Sequence, residues 1–199
     1  MKVLTPMLTR RFVLLASTAL PLAAASAQTF AQTLAQAPAP PAEQWQTVVG
    51  PDLRFRLEMP APVEKTTSGE KEEGHASERI AWASKLDGEM FDFDFVDYQP
   101  GWFSDKDTKE MARELGRGEA EKAFRRDKFK YIRDEPITLQ GWDGYALDIE
   151  DPEGSVVMMR TYIVKDRLYR FLVTAKADDK TRAAAKRFLE SLRLADTRS

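Results

Sequence analysis

The stretch that decides the fold is SERIAWASKL (Ser77–Leu86), DG (Asp87-Gly88) and EMFDFDFVDY (Glu89–Tyr98). It is two alternating apolar and polar runs joined by a pair suited to the positive backbone angles of a tight hairpin turn. A two-residue loop fixes the register, setting Leu86 opposite Glu89, Ser84 opposite Phe91, Trp82 opposite Phe93 and Ile80 opposite Phe95. Side chains alternate along a strand. One surface of this hairpin therefore carries Trp82, Ile80 and three phenylalanines, and it must be core. On the other surface Ala83 lies opposite Asp92 and Ala81 opposite Asp94, which sets two aspartates above small residues.

Upstream, LRFRLEM (Leu53–Met59) alternates strictly between apolar and charged residues, the mark of a half-buried strand, and Pro60 and Pro62 stop it. From Val63 to Gly74 the chain is polar with two glycines and reads either as a mobile loop or as a weakly formed edge hairpin. Downstream, after Pro100-Gly101, Ser104 or Asp105 is placed to cap a helix running through Met111 and Leu115 toward Phe124. Gly116 and Gly118 predict a kink in it or a division into two short helices. Strands follow at Phe129–Ile132, Pro136–Gln140, Trp142–Glu150, Val156–Val164 and Leu168–Ala175, with turns at Asp151-Pro152-Glu153-Gly154 and Lys165-Asp166-Arg167. Asp178 or Asp179 then caps a last helix whose Ala184, Phe188, Leu189 and Leu192 form one apolar stripe that should close over the sheet. The order of strands, helix, strands and closing helix describes an α+β sandwich with a mostly antiparallel central sheet, and no internal repeat is visible.

The first residues, MKVLTPMLTRRFVLLASTALPLAAASAQ, read as an export signal: cations at Lys2, Arg10 and Arg11, an apolar run from Phe12 to Leu22, and Ala25-Ser26-Ala27 as the cleavage site before Gln28. The apolar run holds Pro21 and is shorter than the roughly 20 residues that cross a bilayer, so no permanent membrane anchor is expected. Arg10-Arg11-Phe12-Val13-Leu14 resembles the twin-arginine signal, although that pattern prefers Phe where Val13 stands and a later Lys. A general secretory signal with two adjacent charges is the alternative. The first mature residue is Gln28 and not Cys, which argues against a lipoprotein. Residues 28–44, QTFAQTLAQAPAPPAEQ, are the composition of a disordered or extended tether, leaving one domain over residues 45–196. A periplasmic address follows from these features.

The chain has no cysteine, which excludes disulfides, thiolate catalysis and zinc-thiolate sites. Removing the three cations of residues 1–27 from the 30 of the whole chain leaves 27 lysines and arginines against 32 acids, a net charge of −5. A mildly acidic surface gives no electrostatic reason to bind nucleic acid or anionic lipid. No cofactor motif is present.

The opening Trp45 strand, the LRFRLEMP strand, the aromatic hairpin and the closing KRFLESLRL helix together resemble small exported bacterial domains of the PsbP and Mog1 type. The resemblance covers most of Trp45 to Leu194. It implies a central antiparallel sheet with helices on both faces and mostly non-enzymatic binding or assembly roles, and it brings no functional residues to this chain.

Asp92 and Asp94, with Asp97 and Glu89 near them, are the leading candidates for a site, since paired carboxylates bind a hard cation or share a proton. The plainer reading is a solvated strand face, because calcium needs six or more oxygens and a flat strand presents two at a time. His75, the chain's only histidine, sits between Gly74 and Ala76 in charged sequence without a G-x-S-x-G elbow, so it reads as solvated. Trp102, beside Phe103, and Trp142 stand at turns, where they either frame a ligand or plug the ends of the sandwich. Lys122, Arg125, Arg126, Lys128 and Lys130 form the one dense basic stretch, diluted by acids as at a solvated helix end. The expected function is an exported periplasmic, non-enzymatic binding or assembly domain for a protein partner or small ligand. The alternatives are a carboxylate-dependent periplasmic hydrolase using Asp92, Asp94 and His75, and a structural or stress protein of the cell envelope.

Overall fold

The aromatic hairpin forms in the expected register in the computed structural model, which describes residues 45–72, 75–123, 129–176 and 178–195. Strands β4 (His75–Leu86) and β5 (Glu89–Asp97) pair antiparallel, with Trp82 opposite Phe93 and Ala83 opposite Asp92. At the turn Asp87 and Gly88 both take positive φ, 53° and 88°, the combination that closes a two-residue hairpin along the strands' own twist. The expected export signal, with Arg10, Arg11, Ala25 and Ala27, and the expected tether lie outside the described residues.

The hairpin is the nucleus of a seven-stranded, wholly antiparallel sheet. The other strands are β3 (Val63–Glu72), β6 (Lys130–Leu139), β7 (Trp142–Glu150), β8 (Ser155–Val164) and β9 (Arg167–Lys176), in the spatial order β3-β4-β5-β9-β8-β7-β6. A second, three-stranded sheet has β2 (Phe55–Pro60) between β1 (Trp45–Val49) and β10 (Arg193–Leu194). Two helices complete the domain, α1 (Thr108–Ala123) and α2 (Asp179–Leu189).

The large sheet has two unlike faces. Phe91, Phe93, Phe95, Trp82, Tyr169 and Phe171 share one, and the small sheet and α2 pack on it. Phe55 of β2 reaches across with its ring centroid 5.0 Å from Phe93 and 5.6 Å from both Trp82 and Tyr169. Phe188 of α2 meets Phe91 and Phe171 at 5.5 and 5.0 Å. These edge-on and tilted contacts are the favoured geometry of aromatic rings. The opposite face is covered over β7 and β8 by α1, whose Ala112 and Ala120 are buried against Tyr145, Ile163, Leu147 and Met159. The expected helices on both faces are therefore present.

Two local expectations change, and two are decided between the alternatives left open. The polar run after Val63 is an edge strand, paired residue for residue with β4 from Val63↔Ser84 to Glu72↔His75. Phe129–Ile132 and Pro136–Gln140 merge into one strand, β6, whose pairing with β7 shifts between Tyr131 and Arg133; Pro136 is tolerated because β6 is an edge strand. The cap of α1 is Asp107, not Ser104 or Asp105: its Oδ1 accepts from the Lys109 and Glu110 amides, while the Ser104 hydroxyl donates to the Gly101 carbonyl. The helix is one unbroken element because Gly116 faces the sheet, where a Cβ would lie 3.3 Å from Thr161 Oγ1. Its missing side chain lets α1 approach β8.

Candidate functional site

Alternation along β5 assigns its carboxylates to different surroundings. Glu89 and Asp97 share parity with the phenylalanines, whereas Asp92 and Asp94 point to the α1 side. Glu89 is buried and accepts from the Lys176 amide. Asp97 receives two hydrogen bonds of 2.6 Å from Arg167, which also donates to Asp52 and lies 3.9 Å from the Phe95 ring centroid. Burial by itself disfavours the Arg167 charge, and the Asp97 and Asp52 carboxylates more than reverse this, so its pKa is raised. The four acids near one another in sequence are thus divided between two faces, which removes the basis for a shared calcium site. Among the described residues no group of three or more acidic or histidine side chains is arranged to hold a metal ion.

Asp94 is not on a solvated strand face: it is 6% exposed. Arg79, one strand over, donates to its Oδ2 and Arg170 of β9 to its Oδ1, each at 2.8 Å. Arg170 also lies 4.0 Å from Glu119 of α1. Asp92, two residues away on the same face, is only partly buried and has no hydrogen-bond partner among the described residues. Burial and the neighbouring Asp94 charge push its carboxyl above the usual aspartate range, and Arg79 partly opposes them.

Among the described residues α1 packs mainly on the β7 and β8 part of this face, and no other described helix lies over its β3, β4 and β5 part. Two recesses lie there. One, of about 310 Å³, has Ala81, Met159 and Leu172 on its floor and Arg79, Asp94, Arg170 and Glu119 around it. The other, of about 260 Å³, is lined by Pro62, Ala83, Met90, Glu64 and Lys85. Asp92 belongs to both. The small residues Ala81 and Ala83, visible in the sequence opposite the aspartates, are what make the depth.

The other candidates go elsewhere. His75 opens β4 opposite Glu72, at the far end of the β3–β4 hairpin. It stands six residues from Ala81, the partner of Asp94, and so about 20 Å along the strand. The structure does not bring it to the aspartates. Trp102 packs with its ring centroid 6.0 Å from Tyr98, and Lys106 Nζ stands 3.8 Å from the Trp102 centroid, in the small cluster under the start of α1. Trp142 packs at the edge of the aromatic core and also lines a third recess, of about 400 Å³, with Lys106, Lys165 and Asp166. Sequence reasoning missed Arg79 and Arg170 as the clamp on Asp94, since cross-strand arginines carry no motif; the one available signal was Arg79 lying two residues before Ala81 on the same face.

This architecture, an antiparallel α+β sandwich with helices packed on the sheet, is the PsbP-like fold. No family model matches the sequence, and no curated protein matches it. Among solved structures the chain is similar to cyanobacterial PsbP (CyanoP) from Synechocystis, with a TM-score of 0.53 at 9% identity over 77% of this chain and 94% of that one. It also matches LpqN of Mycobacterium tuberculosis, a protein involved in cell envelope biogenesis, with a TM-score of 0.42 at 13% identity over 77% and 91% of the two chains. A Pseudomonas aeruginosa protein of unknown function gives 0.38 at 16% over 77% and 99%. Among the described residues no helix is long and apolar enough to cross a membrane.

Proposed function

We propose that this chain is an exported periplasmic domain that binds a small ligand on the open half of its sheet and does not transform it. The observation that carries this reading is the pair of recesses that meet at Asp92 over a floor of small and apolar side chains. Their size suits a small molecule or a single projecting side chain. A carboxylate-dependent hydrolase is less well supported. Acid-base chemistry by paired carboxylates needs two groups that can exchange protons, and Asp94 is committed to two guanidinium groups. The histidine such an enzyme would recruit sits at the distant end of the hairpin. The export signal in the first 27 residues supports the periplasmic address.

The test is the native mass spectrum of protein purified from the periplasm, recorded for the parent chain and for Ala81→Trp and Ala83→Trp, which fill the two recesses. The expected parent mass begins at Gln28 and includes an adduct that is lost on denaturation and absent from the filled variants. A bare parent chain, or an adduct that survives both substitutions, overturns the reading.

A further inference from the structure

The open face also carries information about the chemistry of its occupant. Two recesses share one carboxyl group, and that group has no hydrogen-bond donor among the described residues. Asp92 is only partly buried, so water reaches it in the open recess, and a ligand that displaces this water must supply N–H groups in its place or leave the carboxylate unfavourably desolvated. The charged side chains facing Asp92 are Asp94 on its own strand, Arg79 and Lys85 on β4, Glu64 on β3, Arg170 on β9 and Glu119 on α1. Among the described residues, with Asp92 ionised, this is four carboxylates against three cations, a net charge of −1. Arg79 and Arg170 each donate to Asp94, and Asp92 accepts from neither. A hard metal ion is a poor match, since Glu89 and Asp97 are on the other face and the remaining oxygens are too few. An anionic ligand would meet Asp92 uncompensated.

Building on the reading of this face as a binding surface, we propose that its ligand is an organic cation, a primary amine or a guanidinium on a short apolar body. The N–H groups of the ligand donate to Asp92, and its body lies over Ala81, Ala83, Met90 and Leu172. One such charge brings the recess to neutrality. The same geometry makes binding sensitive to pH. The Asp92 carboxyl titrates above the usual aspartate range, and a bound cation favours its ionised form. Affinity for the cation therefore falls as pH is lowered through that range, with a proton released on binding there.

The experiment is a titration of the ¹⁵N-labelled mature chain, followed by amide shifts, with four probes of similar size. Two are cations, 2-phenylethylamine and butylguanidine; one is neutral, 2-phenylethanol; one is an anion, 3-phenylpropionate. The expected result at pH 7 is saturable shifts at Ala81, Ala83, Asp92 and Asp94 with a cation, and at least tenfold weaker binding of the alcohol and the acid. Asp92→Asn, which keeps size and removes charge, should weaken cation binding about tenfold or more, as loss of a charge-assisted hydrogen bond does. Lowering the pH stepwise from about 7 through the range in which the Asp92 carboxyl takes up its proton should weaken it in the parent chain and not in the variant. Equal binding of alcohol and amine at these residues, or no effect of Asp92→Asn, overturns the cation chemistry while leaving the face as a binding surface. If no probe shifts these residues, the cation proposal falls and only the native adduct can sustain the surface. Glu153→Gln, at the exposed β7–β8 turn away from both recesses, serves as the folded control and should leave amine binding unchanged.

Discussion

Strand β5 has two sides that obey opposite rules. On one, Phe91, Phe93 and Phe95 are 0–2% exposed, and every ring is met by another ring from β2, β4, β9 or α2. On the other, Asp94 is clamped by two arginines while Asp92, the next residue of the same parity, faces an opening. The first side is redundant in its contacts and indifferent to the solvent, as a core must be. The second is not finished by the described residues. A half-covered sheet face with a buried ion pair at one edge and an unmatched carboxyl beside it is a poor way to gain stability, and a reasonable way to keep a place for something else. The contrast teaches that the functional hypothesis belongs where packing stops, and not where aromatic residues are densest.

The sharpest way to break this contrast is on the aromatic side. Phe93 is fully buried, with ring centroids of Phe171 at 4.8 Å, Phe55 at 5.0 Å and Trp82 at 5.9 Å. Phe93→Ala removes a ring that touches both sheets, and its expected cost is about 3–5 kcal/mol in urea unfolding at neutral pH. A loss below about 1.5 kcal/mol would mean that this face is not the principal core. Next in size is Asp94→Asn. The substitution keeps the shape and can still accept hydrogen bonds, but it leaves Arg79 and Arg170 facing a neutral group. Both arginines retain some solvent, at 37% and 14% side-chain exposure, so the expected loss is about 1–3 kcal/mol, less than for a fully buried pair. If Asp94→Asn were neutral, Asp94 would be as free as Asp92, and the distinction between them would fail.

Much of the aromatic side was legible in the sequence. Period-2 alternation, an Asp-Gly turn and the closing stripe of Phe188, Leu189 and Leu192 are local patterns, and local patterns were enough to set register, core face and closing helix. Ala184 packs partly buried against the core as expected, and Ala185 beside it is fully buried as well. The aspartate side was half legible. Its alternation placed Asp92 and Asp94 together over alanines, but whether a helix covers them is a question about crossings distant in sequence. The clamp by Arg170 joins residues 76 apart. The polar β3 strand was ambiguous because an edge strand has only one neighbour, and its charges guard the free edge while they weaken the alternation signal. The glycines of α1 misled for a related reason: propensity treats Gly116 and Gly118 alike, and packing does not. Gly116 abuts Thr161, whereas a Cβ on Gly118 would meet nothing within 4 Å. Gly118→Ala should therefore stabilise the domain by about 0.5–1 kcal/mol in thermal unfolding, through helix propensity alone.

The smallest effect is also the one that separates a structural carboxylate from a functional one. Asp92 has its carboxyl raised above the usual aspartate range by burial and by Asp94. A raised value in the folded state means that the ionised form is disfavoured there relative to the unfolded chain. Its contribution to stability is thus full below the unfolded value and is lost as pH rises through the folded one. Asp92→Asn cannot ionise and escapes that loss. The variant should match the parent in acid and exceed it at neutral pH, by no more than about 0.5 kcal/mol for a partly exposed position. Thermal unfolding of both proteins at several pH values between about 3 and 7 reads the difference directly. The sign matters more than the size. Asp94→Asn and Phe93→Ala lower stability because those side chains hold the fold, whereas Asp92→Asn should raise it while weakening the amine probes. A residue that costs stability and confers binding is kept for its ligand. If the Asn variant were instead less stable at neutral pH, Asp92 would belong with Asp94, as part of the fold's own charge balance.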